Sequence, residues 1–202
     1  SLVSTTLAQY ETPVCIGLRL FLPEAWEADK ARRKRCQIPE EIMHQPKWKI
    51  ALDEIDRVTS QGARFGDVLA EAGYGVCGDF RKGLSERGLL WTVGINDKIQ
   101  VYPDEVEVLG VEANRHGRPR KHPSLSHQAI SVKEIIENQG PGAFDSITWR
   151  RGTKGPLKGD FAMLLVRIAD GPKMTRGRRQ PGTSAWLICE KRSGVERRYY
   201  FS

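Results

Sequence analysis

The chain has 202 residues, 39% hydrophobic and 28% charged, a globular composition long enough to bury a core. There is no apolar run of about eighteen residues, and Ser1 to Leu7 lack the charged start, apolar stretch and cleavage site of a secretory signal, so a soluble, cytoplasmic protein is expected. The net charge of +7 is uneven: residues 1 to 110 carry 14 Lys and Arg against 17 Asp and Glu, whereas residues 111 to 202 carry 18 against 8. A positive second half points to a polyanion partner, because counterion release from neutralised phosphates supplies most sequence-independent nucleic-acid affinity.

In chain order, Leu2 to Leu7 and Val14 to Leu22 read as neighbouring strands with a turn at Glu11-Thr12-Pro13. Pro23 and Glu24 suit a helix start, and the basic run Lys30 to Arg35 reads as a solvated helix end. After Pro46, the apolar positions Trp48, Ala51, Leu52, Ile55 and Val58 recur at helical spacing, and Gly62 closes the helix. Phe65 to Ala70 has the texture of a buried strand, Asp79 to Arg87 of a helix opened by Asp79 as a cap and closed by Gly88, and Leu89 to Ile95 of the next strand. This alternation predicts an α/β sheet with covering helices.

Beyond Ile95 the texture changes. Lys98 to Tyr102, Ser146 to Arg150, Phe161 to Ile168, Trp186 to Glu190 and Arg197 to Phe201 are short strand candidates joined by Gly, Pro and Arg-rich segments, and Val132 to Glu137 reads as a helix. A boundary is therefore expected near residue 96, with a β-rich basic insertion over 97–202. Trp149 and Trp186 read as packing residues. So do most of the four cysteines, Cys15, Cys36, Cys77 and Cys189, which form no C-x-x-C pair. With no initiator Met and a strand-like close at Arg197 to Ser202, both ends are expected to be internal to a longer protein.

The most suggestive site is Glu71, an acid at the carboxyl end of a predicted strand, followed by Ala72-Gly73-Tyr74-Gly75. Ligands gather at strand carboxyl ends in open α/β sheets, and a carboxylate there can hold a hard cation; the competing reading is an exposed acid capping the next element. Gly152-Thr153-Lys154-Gly155 lacks phosphate-loop spacing, and His116, His122 and His127 lack partners at zinc-ligand spacing.

The stretch Val68-Leu69-Ala70-Glu71-Ala72-Gly73-Tyr74-Gly75, then Phe80-Arg81, Leu84, Arg87-Gly88-Leu89 and Val93-Gly94-Ile95, resembles the middle of bacterial insertion-sequence DDE transposases. Leu18 to Trp26, Pro46 to Asp53, Lys98 to Pro103, Gly117 to Lys121, Trp149 to Leu157 and Tyr199 to Ser202 are similar to further landmarks of that family, in the same order. The resemblance implies an RNase H-like mixed sheet with covering helices over residues 1–96, interrupted by the β-rich basic insertion. It also implies a Mg²⁺- or Mn²⁺-dependent cleavage and strand transfer by three carboxylates holding two metals. Glu71 stands at the second of these positions, where the family has Asp; the first acid would precede Ser1 and the third would follow Ser202. One extra methylene displaces the carboxylate by about a bond length, so impaired cleavage is expected, and none from this excerpt alone.

The implied partners are transposon-end and target DNA, met as a homodimer in the bacterial nucleoid. Arg115, Arg118, Arg120, Lys121, Arg150, Arg151, Lys154, Lys158, Arg178 and Arg179 are the expected DNA contacts, together with Lys173 and Arg176. They would grip phosphates without reading bases. The rival readings are a non-catalytic DNA-binding protein descended from a transposase, which the Glu at 71 favours, and an α/β module without DNA affinity.

Overall fold

In the computed structural model, residues 1–9, 12–110, 122–153, 155–192 and 196–202 are described. The order begins β1 (Leu2–Gln9), β2 (Thr12–Leu20), α1 (Ala25–Ala28), α2 (Lys30–Arg35), α3 (Lys47–Ser60), β3 (Asp67–Ala70), α4 (Ala72–Gly75), α5 (Gly78–Glu86) and β4 (Leu90–Ile95). It continues with β5 (Gln100–Pro103), β6 (Val108–Leu109), β7 (Ser124–Leu125), β8 (Ile130–Ser131), α6 (Val132–Asn138), β9 (Asp145–Gly152), β10 (Gly155–Ile168), β11 (Ser184–Lys191) and β12 (Arg197–Phe201). Two compact units divide these elements: Ser1–Val68 with Cys77–Trp91, and Leu69–Val76 with Thr92–Ser202.

In the first unit β1 and β2 form an antiparallel hairpin, and Thr12 and Pro13, expected in a turn, pair instead with Gln9 and Ala8. Where Thr5 faces Gly17 and Thr6 faces Cys15, Ile16 is left as an extra, bulged residue. Its carbonyl accepts a hydrogen bond from Arg57 Nη2 of α3 at 2.9 Å. Next to the bulge, the absence of a side chain at Gly17 makes room for Glu54: a Cβ there would stand 2.4 Å from Glu54 Oε1. Glu54 is 1% exposed. It accepts from Arg19 Nε at 2.7 Å and Arg57 Nε at 2.6 Å. A buried carboxylate is tolerated when paired and hydrogen-bonded in this way, and the pairing ties the hairpin to α3.

The apolar stripe of α3 buries Ile50, Leu52, Ile55 and Val58. Leu52 meets α5 where Gly83 leaves space, and Arg87 holds Asp56 through two 2.6 Å bonds. Gly62 and Gly88 close their helices as expected, with positive φ of 90° and 67°. Ala63 N–H donates to Val58 O and Leu89 N–H to Leu84 O, so orphan carbonyls at both helix ends are satisfied. The basic run of α2 is not uniformly solvated. Arg33 is buried, and its Nη2 donates to the carbonyls of Pro39, Glu40 and Ile42 at 2.8 to 3.2 Å, because three carbonyls converge where a guanidinium can reach them.

The second unit is built on an eight-stranded sheet in the order β3-β4-β12-β11-β10-β5-β8, with β9 pairing the first half of β10. Its covered face buries Val93, Ile95, Val101, Val166, Leu187 and Phe201, against which α6 contributes Val132, Ile135 and Ile136. Ser131 caps α6 by accepting from Glu134 N–H at 3.1 Å. This mixed α/β arrangement of a large sheet and few helices agrees with the RNase H-like class expected.

Three expectations are corrected. β3 is an edge strand rather than a buried one: the twofold alternation turns Leu69, 76% exposed, away from the side that half-buries Val68 and Ala70. Trp149 and Trp186 are 57% and 47% exposed, not core: Trp186 points away from the side of β11 that buries Ala185 and Leu187, and Trp149 lies on β9, whose residues are exposed on both sides up to Arg151. Of the four free cysteines Cys189 alone is buried, and burial pushes its thiol up to about 11.

Arg57, then Arg19, hold the Glu54 carboxyl below its ordinary value of 4.5. A depressed carboxyl contributes stability that is whole above the unfolded-state value and lost as pH falls through the folded-state value. Acid titration of the unfolding free energy will therefore show a loss below about pH 4.5. Glu54→Gln will flatten that loss and lower stability near neutrality by about 2 kcal/mol.

Candidate active site

β3 ends at Ala70, and the chain then passes through Glu71 in an extended conformation, φ −73° and ψ 169°, into the single turn of α4. The glycines expected to make a sharp turn are part of this helical turn, which the Glu71 carbonyl closes by accepting from Tyr74 and Gly75 N–H at 3.0 and 3.1 Å. The Glu71 side chain makes no capping bond and is exposed. Its carboxylate is therefore available to the space at the end of the strand. Burial first, and then the charge of Glu71, push the Tyr74 phenol up.

That space is an open cavity of about 790 Å³ contained within the second unit. Besides Glu71 it is lined by Asp97, just past the end of β4, by Lys133 and Glu137 of α6, by Lys191 of β11 and by Arg197 to Tyr200 of β12. Two backbone constraints assemble it. β12 pairs β4 with Tyr199 opposite Ile95 and Tyr200 opposite Gly94, which carries residues 197 and 198 alongside the segment after Ile95. The turn of α4 packs on the β4 backbone: a Cβ on Gly75 would fall 1.8 Å from Gly94 O, and one on Gly94 3.1 Å from Ala72 N. At Gly75 only glycine allows that approach.

The cavity wall is electrostatically mixed. Arg197 Nη1 lies 3.7 Å from Glu137 Oε1, an ion pair too long for a hydrogen bond, and its guanidinium carbon stands 5.7 Å from the centre of the Phe144 ring. Closed off from solvent, that Nη1 makes no hydrogen bond. Tyr199 is pushed up chiefly by burial, with Arg197 opposing. Tyr200 donates to Glu190 Oε2 at 2.9 Å. Glu71 offers one carboxylate to a metal, but among the described residues no three His, Cys, Asp or Glu side chains converge to complete a metal site.

Among the described residues the expected DNA contacts fall in two places. Arg150, Arg151 and Lys158 are exposed on the β9–β10 hairpin, whereas Arg178 and Arg179 follow the far end of β10. From Lys158 to Ile168 the strand advances about 33 Å at about 3.3 Å per residue. Arg179 is partly engaged, its Nη1 reaching Asp170 O at 3.4 Å and Gly171 O at 3.3 Å, while its own carbonyl accepts from Tyr102 Oη at 2.6 Å. Arg115, Arg118, Arg120, Lys121 and Lys154 lie outside the described residues. Asp79 is corrected: Cys77 occupies the cap position of α5 and Asp79 sits inside the first turn, where its charge meets the positive helix end without a capping bond.

Sequence reasoning passed over Asp97, Glu137, Lys191, Arg197 and Arg198. A signal existed for Asp97, an acid just beyond a strand end as Glu71 is, whereas the others are brought in by pairing between strands distant in sequence.

Residues 1–156 match the family described as DDE superfamily endonuclease, and the chain belongs to that family, whose members act on DNA with divalent metals. No curated protein and no solved structure matches the chain. Among the described residues no helix is long and apolar enough to cross a membrane.

The glycine contact supplies a direct test of how the site is assembled. Gly75→Ala will force α4 off β4 at a cost of about 3 kcal/mol, read as a lowered midpoint of chemical denaturation. Gly73→Ala, whose Cβ would meet only Glu71 Oε1 at 3.9 Å, will leave the midpoint nearly unchanged.

Proposed function

We propose that these residues are the central part of a DNA transposase that cleaves strands at transposon ends and transfers them to target DNA. Glu71 supplies one of its metal-holding carboxylates, and the acids that the resemblance places before residue 1 and after residue 202 complete the set. The observation that carries this reading is the position of Glu71, exposed at the carboxyl end of a sheet strand on a cavity wall, within a chain of the endonuclease family. In this reading the 202 residues alone do not cleave DNA, because one carboxylate cannot hold two metal ions against a phosphodiester. The basic residues of 97–202, a β-rich insertion after an RNase H-like portion over 1–96, contact DNA phosphates in a homodimeric synaptic complex in a bacterial cytoplasm. Arg150, Arg151 and Lys158, on one exposed hairpin, and Arg178 and Arg179 at the other end of β10 then meet two separate stretches of backbone.

A Glu rather than an Asp at 71 favours a second reading, a DNA-binding descendant without cleavage. Plasmid nicking by the protein extended through both outer acids separates them. Glu71→Asp is expected to raise Mg²⁺-dependent nicking by about tenfold or more, since catalytic groups must sit within about 0.5 Å of their productive position; no gain would leave the second reading.

DNA contact has its own measurement. Duplex affinity of the 202-residue chain should fall log-linearly with salt, and neutralising Arg150, Arg151 and Lys158 together should shrink the slope by about 2 to 3. Salt-independent binding would remove the phosphate contacts from the reading.

A further inference from the structure

The connection from β10 to β11 is a basic finger. Residues 171–183 carry four cations, Lys173, Arg176, Arg178 and Arg179, and no acid. Its two arms are held together at the backbone: Lys173 and Arg179 form a β-bridge, Met174 N–H donates to Arg178 O at 2.7 Å, and Gln180 N–H donates to Pro172 O at 2.9 Å. The base is fixed to the sheet, where buried Tyr102 of β5 donates to Arg179 O at 2.6 Å and the Arg179 guanidinium turns back onto the carbonyls of Asp170 and Gly171. At the tip, in the turn Thr175–Gly177, Arg176 adopts the left-handed conformation with φ 61° and ψ 33°, and Gly177 follows with φ 74°. A side chain is disfavoured there because its Cβ crowds the backbone. Such strain persists where the surroundings over-determine it and gathers at working positions; here it sets an exposed arginine, where glycine would fit without strain, at the tip of a braced loop.

A cation that only meets phosphates needs no such placement, because a long side chain on any exposed surface can reach them. One arginine set ahead of flanking cations suits a narrow groove bordered by two rows of phosphates. The minor groove of duplex DNA is about 6 Å wide, too narrow for a helix but open to one extended side chain, and its negative potential is strongest where A·T pairs narrow it. Lys173 stands on the incoming arm of the finger and Arg178 on the outgoing one, so cations flank the tip on both sides. We propose that Arg176 enters the minor groove of A·T-rich duplex DNA, while Lys173 and Arg178 meet the phosphates along its two edges. This rests on the DNA reading above and deepens it. The phosphate contacts supply affinity without sequence, and Arg176 adds a preference for A·T pairs, because guanine projects its N2 amino group, a donor like the guanidinium itself, into that groove.

The 202-residue chain is titrated at one salt concentration against short duplexes of A·T, G·C or inosine·cytosine pairs. Inosine lacks the guanine N2 amino group, so the third duplex combines the minor-groove edge of A·T with the major-groove edge of G·C. The A·T and inosine·cytosine duplexes are expected to bind alike, about fivefold or more tighter than G·C. Arg176→Gly is expected to abolish that difference by weakening the first two, without lowering the thermal midpoint, because glycine adopts φ 61° freely. Arg176→Gln, which keeps a side chain without the charge, is expected to abolish it as well. An arginine acting on phosphates alone would weaken all three duplexes equally when replaced. That result, or a parent chain that binds A·T and G·C duplexes alike, overturns the groove contact and leaves the DNA reading standing. Tighter binding to A·T than to inosine·cytosine would put the recognition in the major groove and overturns it too. Should a variant fail to fold, the other variant and the comparison of three duplexes on the parent still decide. If the chain binds none of the duplexes at any salt, the DNA reading falls and the groove contact with it.

Discussion

Two glycines in contact set the geometry on which the candidate site depends. Gly75 and Gly94 let the turn of α4 lie directly on the backbone of β4, closer than any side chain would permit. Because that turn begins immediately after Glu71, its docking places the carboxylate beside the residues that follow β4. The pairing of β12 with β4 then brings Arg197 and Arg198 to the same place. One acid at a strand end becomes one wall of a charged cavity through backbone packing, with no direct bond to the acid's own side chain.

A different solution to buried charge appears in the first unit. Glu54 is almost fully enclosed and fully answered, by two guanidinia and by the space that Gly17 leaves. Arg33 is likewise enclosed and answered, by three backbone carbonyls. Arg197 is answered more loosely, by Glu137 at 3.7 Å and by the ring of Phe144. A satisfied buried charge fixes the positions of elements, as Glu54 fixes the hairpin against α3.

Legibility followed the range over which each signal acts. α3 could be placed from the spacing of Trp48, Leu52, Ile55 and Val58, and the ends of α3 and α5 from Gly62 and Gly88, because helical periodicity and the left-handed cap are properties of a few consecutive residues. The strands at Ser184–Lys191 and Arg197–Phe201 were similarly visible. Burial was less so: Val68-Leu69-Ala70 reads as a buried run, yet β3 stands at the end of the strand order and Leu69 is exposed. Strand order depends on pairing between segments a hundred residues apart, which an apolar run does not encode. Charge patterning was equally local, since Arg33 in a basic run is an internal fastener.

What the sequence determined by itself was the alternation of elements, the ordered succession of motifs that marks the endonuclease family, and Glu71 as the acid after a strand. These are local quantities, carried by propensity, periodicity and spacing. The tertiary structure alone decided which charges share a space with Glu71. Lys191, Arg197 and Arg198 arrive from more than a hundred residues away through antiparallel pairing, and Glu137 through the packing of α6. Proximity across a sheet is fixed by strand order and register, and these are settled only when every strand competes for its neighbours at once.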